Sequence, residues 1–208
     1  MLKGAFFMNV EKTIENLNKR GFAVRYFPTA AEAAAYLDTA IDHKSVGIGG
    51  AVTLQQMGIY EALSKHNQVY WQWYAPEGVS REETYAKAAT ADVYLSSVNA
   101  IAETGELINI DGTGNRVAST LYGHQKVYLV AGVNKIAADY EAALWRARNI
   151  ASPKNAQRLH KNTPCAQKGD KCYNCSSPDR ICRGLVVLWE PMNCMETEVV
   201  LVGESLGF

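Results

Sequence analysis

Short apolar runs alternate with helix-patterned stretches along almost the whole chain, and that alternation limits its possible folds more than any other feature. Val10, Ile14 and Leu17 recur at helical spacing ahead of Gly21, which predicts a helix over 10–20 closed by glycine. Residues 22–27 alternate like a strand. Thr29 with Glu32 then has the spacing of a capping box, opening an alanine-rich helix to His43. The pattern continues with strands predicted at 45–49, 69–73, 93–98, 107–110 and 127–131. Helices are predicted at 53–65, after the Ser80/Glu83 capping pair, at 115–122 and at 137–150. Ser152-Pro153 reads as the N-cap and first residue of another helix to about His160, and 185–190 and 198–202 read as two strands returning to the sheet. Such alternation predicts an α/β fold: a mostly parallel sheet flanked by helices on both faces. With 208 residues, 48% of them hydrophobic, the chain has enough material for one domain spanning 1–208.

Charge and hydropathy exclude some functions. Formal net charge is zero, so no basic field draws nucleic acid or anionic lipid. The apolar stretches, such as 185–189 and 199–202, are too short to span a bilayer. Residues 1–9 lack the basic start, apolar core and cleavage site of a secretory signal. The expectation is a cytoplasmic protein with no nucleic-acid partner and no membrane insertion.

Cys165, Cys172, Cys175 and Cys182 stand in a symmetric six-two-six spacing inside 163–184, a cysteine-rich insertion ahead of the final strands. Thiolates are soft ligands suited to zinc or an iron-sulfur cluster. Turn residues Pro164, Gly169, Asp170, Asn174, Pro178 and Asp179 let the chain fold back on itself, and the scarcity of apolar side chains means that something besides packing must order it. Disulfides are disfavoured by the missing signal, and idle thiols by the polar neighbours Lys168, Asp170, Lys171, Asp179 and Arg180. Only Cys172 and Cys175 have the short spacing of a zinc knuckle, and the ferredoxin run of close cysteines is absent, so the pattern leaves both metals open. Cys194, after a Pro-Met-Asn turn, reads as a bystander.

Ligands of parallel α/β sheets bind outside the carboxyl ends of the strands, which directs attention to three turns. Gly49, Gly50, Ala51 and Thr53 follow one predicted strand, where the backbone can approach an anion or simply pack tightly; the Gly-Lys-Ser/Thr ending of a P-loop is missing. Asn99, Glu103, Thr104 and Gly105, then Asp111, Gly112, Asn115 and Arg116, form a polar stretch able to hold a small ligand or to make turns. Lys135 follows a third strand, as a phosphate- or carboxylate-binding charge or a solvated surface lysine. Glu103 and Asp111 are the candidate catalytic acids, with His124 nearby in sequence, but none has a partner fixed by spacing.

The Gly49-Gly50 turn, the run from Ala100 to Gly105 and the segment from Val200 to Phe208 resemble the LUD family of lactate-utilisation proteins, over nearly the whole chain. The resemblance implies the fold shared by glucosamine-6-phosphate deaminase, ribose-5-phosphate isomerase and the CoA transferases. Residues 99–113 are also similar to the aspartate motif of methylthioribose-1-phosphate isomerases, but Asn99 stands where that aspartate would be and Ile110 where a lysine would be, removing the acid an isomerase would use. The cysteine run resembles a subgroup from anaerobic bacteria, and relatives act beside iron-sulfur proteins in lactate oxidation, which favours a [4Fe-4S] cluster over zinc. Three functions follow as expectations. One is a metal-binding protein of organic-acid oxidation that also binds a small anionic metabolite and works with iron-sulfur or lactate-oxidising partners. The others are an enzyme of the sugar-phosphate isomerase and CoA transferase superfamily with structural zinc, and a metabolite sensor.

Overall fold

The computed structural model describes residues 9–208; residues 1–8, which carry most of the stretch read for a secretory signal, lie outside the described residues. Among the described residues, ten strands form two sheets, accompanied by nine α-helices. The large sheet contains β1 (Ala23–Phe27), β2 (Ser45–Ile48), β3 (Gln68–Trp71), β4 (Val93–Ser96), β7 (Lys126–Gly132) and β10 (Glu196–Val202), in the order β1-β10-β7-β4-β2-β3. Every pairing in it is parallel, so all six carboxyl ends emerge on one side. The sheet is covered on both faces, as its near-continuous apolar strands require. Val93 and Leu95, Tyr128 and Val130, and Val200 and Val202 face one core, with α2 (Ala30–Ala40), α3 (Val52–Gln56) and α4 (Ile59–Leu63). The intervening Tyr94, Leu129, Val199 and Leu201 face the other, with Leu17 of α1 (Val10–Lys19) and Ala88 of α5 (Arg81–Ala88).

The second sheet is the main departure from the sequence expectation. It comprises β5 (Ala100–Ala102), β6 (Leu107–Asp111), β8 (Ile136–Ala137) and β9 (Gly184–Leu188), in the order β8-β5-β6-β9. Of the two last apolar runs expected to rejoin the main sheet, β9 instead pairs antiparallel with β6, and only β10 returns to the parallel sheet. Ala100–Ala102, expected as loop, pairs with both β6 and β8. Ile101 and Leu107 back onto the large sheet, while Ala100, Ala102 and Ile108 pack against Ala143 and Ala147.

Two predicted helices differ in a physically readable way. The stretch 53–65 is broken at Gly58, whose φ of 66° is left-handed, into α3 and α4. The helix predicted to end at Ile150 does not end there: α7 (Tyr140–Arg146), capped by Asp139, runs through a π-helical turn at Ala147–Ala151 directly into α8 (Ser152–Arg158). Ser152 is therefore not an N-cap; its Oγ donates to the Ala147 carbonyl at 2.9 Å. Pro153 has no N–H to give the preceding turn and its ring would crowd a carbonyl there, which the wider π turn accommodates. The cysteine segment follows α8 and holds one short helix, α9 (Pro164–Lys168), before its irregular second half.

Candidate anion-binding site

The carboxyl ends of β2, β3, β4 and β7 open onto a cavity of about 590 Å³, with Gly50, Gln72, Ser97 and Lys135 at the respective strand exits. Its floor is a small polar cluster. Lys135, in the 3-10 turn Val133–Lys135 after β7, is almost fully buried, and its Nζ donates to Ser97 Oγ at 2.8 Å and Thr53 Oγ1 at 2.9 Å. No Asp or Glu among the described residues pairs with it. Burial, with smaller contributions from Arg146 and Arg116, lowers its pKa to about 7. Gly207, at φ 64°, brings the chain over this cluster: a Cβ there would stand 2.6 Å from Thr53 Oγ1 and 3.2 Å from Lys135 Nζ.

The wall beside the floor is built from Asn99, Asp111 and Arg116, and their geometry assigns them to support. Arg116 donates to the carbonyls of Ser97 and Ile110, to Asn109 Oδ1 and to Asn99 Oδ1, and its Nε pairs with Asp111 Oδ2 at 3.4 Å. Its four terminal N–H groups are all engaged in hydrogen bonds and its Nε faces the Asp111 carboxylate, so it contributes charge to the wall and is held there as support. Asp111 Oδ1 accepts from the backbone of Gly112, Thr113 and Gly114. The candidate acid is thus a turn-former and counter-ion. Gly49 lies behind the wall, where a Cβ would come within 2.9 Å of Arg116 Cγ; Gly50, Ala51, Gly112 and Asn115 line the cavity.

The remaining candidates lie elsewhere. Glu103, Thr104 and Gly105 form the β5–β6 turn, which docks on α1. Lys12 Nζ sits 2.8 Å from Glu103, the Asn16 amide donates to the Glu103 carbonyl and Arg20 Nε to that of Thr104. The hydrogen bond and charge of Lys12 hold the Glu103 carboxyl below its usual range, as in a structural ion pair. His124 is buried against the Tyr94 ring with its Nδ1 on the Ala91 carbonyl, and burial pushes its pKa down. Glu103, Thr104, Gly105 and His124 are not part of the cavity lining.

Several lining residues had no signal at the strand ends. Arg81 and Tyr85 come from α5, and Arg158 from α8, with its guanidinium 4.9 Å over the Trp73 ring. Arg180 and Arg183 come from the cysteine segment. The lining holds seven Lys or Arg side chains and two carboxylates, on a chain with no net charge. Ser97 was hidden inside the strand predicted over 93–98, which ends at Ser96; the arginines had no strand-end signal, because helices and an insertion deliver them.

The cysteine segment also borders a second, smaller cavity of about 210 Å³, lined by Cys172 and Cys182 with Arg148, Arg180 and Arg183. Arg180 Nη2 reaches Cys182 Sγ at 3.5 Å and its Nη1 donates to the Cys175 carbonyl at 2.9 Å; the hydrogen bond to Cys182, then the charges of Cys182, Cys175 and Cys172, raise its pKa. Arg148 lies 3.9 Å from Cys172 Sγ, and Cys165 Sγ is 3.3 Å from Thr163 Oγ1. All four are partly buried free thiols, and Cys194 is exposed. Their donor chemistry fits a thiophilic metal, but among the described residues no three His, Cys, Asp or Glu side chains are grouped closely enough to hold a metal ion. Arg180, Arg183, Ile110 and Ser152 line both cavities, so the cysteine segment and the strand-end site, read from sequence as separate, share a wall.

A parallel α/β sheet covered on both faces, with a cation-lined cavity at its strand carboxyl ends, defines the class: an α/β domain whose cavity opens at the carboxyl ends of the sheet. The chain belongs to the LUD domain family, whose model matches residues 10–202. It is similar in fold to the crystal structure of a DUF162 family protein from Deinococcus radiodurans, at 14% identity and a TM-score of 0.52, covering 93% of this chain and 96% of that one. No curated protein matches the chain. Among the described residues no helix is long and apolar enough to cross a membrane.

Proposed function

We propose that this protein binds a small anionic metabolite in the strand-end cavity, in the cytoplasm, in the oxidation of lactate or another organic acid. The observation that carries the reading is the concentration of seven Lys and Arg side chains against two Asp side chains in one cavity of a neutral chain, one of the seven being the buried Lys135, which has no acidic partner among the described residues. Arg158 and Arg81 supply donors at the rim, while Arg116 fixes the wall. A charge-assisted hydrogen bond here is worth about 1.5–3 kcal/mol. Calorimetric titration with lactate and with inorganic phosphate tests this. Arg158→Ala should weaken binding at least about tenfold, roughly 1.4 kcal/mol, and added salt should weaken it further. Failure of both probes to bind rejects the reading.

A second reading concerns the cysteine segment: a metal centre, iron-sulfur favoured over zinc by the family resemblance. Four partly buried free thiols within one short segment favour it. Cys165, Cys172, Cys175 and Cys182 would hold the group, which would supply structural order or electron transfer and a link to iron-sulfur partner proteins. Anaerobic reconstitution with iron and sulfide, and separately with zinc, should give near-stoichiometric metal that Cys172→Ser reduces. Retention of neither, or no effect of the substitution, removes the site.

A further inference from the structure

Lys135 has an arrangement that simple charge recognition does not need. Its Nζ lies at the cavity floor between two hydroxyls, 2.8 Å from Ser97 Oγ and 2.9 Å from Thr53 Oγ1. The Ser97 hydroxyl is itself 2.6 Å from the Val130 carbonyl, and that of Thr53 faces the Leu206 carbonyl at 3.5 Å. Each hydroxyl therefore has a carbonyl to take its proton and a lone pair left to accept from the lysine. A neutral amine has two N–H groups, and these two acceptors satisfy both. The nitrogen lone pair is then uncommitted. An ammonium would carry a third N–H for which the described residues offer no hydrogen-bond acceptor, in a position almost closed to water, and with Arg116 and Arg146 as the nearby charges instead of a carboxylate. Burial accordingly brings the pKa to about 7, so a substantial share of the amine is neutral near neutral pH, against well under a thousandth for a free lysine at pH 7.

We propose that Lys135 is a nucleophilic lysine whose Nζ forms an imine with an anionic aldehyde or ketone held in the strand-end cavity. The proposal rests on the anion-binding reading and gives the ligand its second functional group. The cation-lined wall holds the negative group, and the floor amine meets the carbonyl. The nitrogen lone pair forms the C–N bond as the carbonyl π bond breaks and its electrons pass to oxygen. The two protons of the neutral amine leave with that oxygen as water, giving the C=N bond, so amine and carbonyl yield imine and one water with no change of oxidation state. The Ser97 and Thr53 hydroxyls, already bonded to the nitrogen, are placed to pass those protons.

Reductive trapping tests this. The protein is incubated with cyanoborohydride and either pyruvate, a 2-oxo acid, or dihydroxyacetone phosphate, a phosphorylated ketone, then mapped by peptide mass spectrometry. A near-stoichiometric reduced adduct at Lys135 is expected with at least one probe, and which probe labels identifies the carboxylate or the phosphate as the anionic group. Lys135→Arg keeps the charge and should lose the adduct, and a thermal melt verifies that this variant folds. Should it fail to fold, labelling of the unaltered protein is compared across pH, where the Lys135 adduct should form near pH 7 and surface lysines should label only at higher pH. No adduct at Lys135, or only scattered labelling of surface lysines, overturns the proposal. Calorimetry with inorganic phosphate separates the two readings: phosphate binding without an adduct rejects the imine alone, and absence of phosphate and lactate binding rejects the cavity reading itself.

Discussion

At the scale of single residues, Lys135 is placed at a cost to the fold. Its pKa of about 7 in the fold lies far below the ordinary 10.5, so between these values the unfolded chain binds a proton that the folded protein does not. Stability must then rise with pH across that window, and the full cost of burying the charge is present below pH 7. Lys135→Met should stabilise the protein by a few kcal/mol at pH 6, less the small loss at the Thr53 and Ser97 hydroxyls, with the advantage shrinking toward pH 10. Denaturant melts across pH check this, and a variant no more stable than the parent at pH 6 would show the lysine to be solvated. Sequence reading found Lys135 by its place after an apolar strand but could not distinguish a buried amine from a surface one, because burial depends on Thr53, Ser97 and Gly207 arriving from three other segments. The polar character of Asp111 and Arg116 was equally legible, whereas their mutual neutralisation needed the geometry.

Among elements, the local signals were faithful and the pairings were not. Thr29 and Ser80 cap α2 and α5 through their side chains, as their spacing with Glu32 and Glu83 predicts. What a strand pairs with is set by partners far along the chain: β9 reads like any short apolar run, yet its register partner is β6, about eighty residues earlier. The same blindness put Glu103 in the candidate site. In the fold the β5–β6 turn clamps α1, with Lys12, Asn16 and Arg20 all bonded to residues 103–106. Glu103→Gln should therefore lower the melting temperature by only a few degrees and leave affinity for lactate or phosphate within about twofold. A large loss of affinity with an unchanged melt would return Glu103 to the site.

For the molecule as a whole, net charge hides the distribution that gives it a use. A chain of 21 basic and 21 acidic residues looks indifferent to anions in composition, but folding gathers basic side chains from α5, α8, the β7 exit and the cysteine segment around one cavity. The carboxyl-end location was legible, because alternation implies a parallel sheet and a parallel sheet puts its turns on one side. The enclosing wall was not, since it is made by an insertion whose docking leaves no periodic trace. That docking ties the two candidate sites together. Arg180 contacts the Cys175 carbonyl and Cys182 Sγ while lining both cavities, so a change that moves the Cys182 sulfur or the Cys175 backbone acts directly on a cation of the strand-end site. Linkage requires the effect to be mutual. Alkylation of the free thiols, or metal loading of the segment, should change affinity for phosphate or lactate by at least about fivefold, and Arg180→Ala should remove most of that dependence while leaving the response to Arg158→Ala intact. Equal affinities for the free-thiol, alkylated and metal-loaded forms would mean that the shared wall is rigid and that the two cavities act independently.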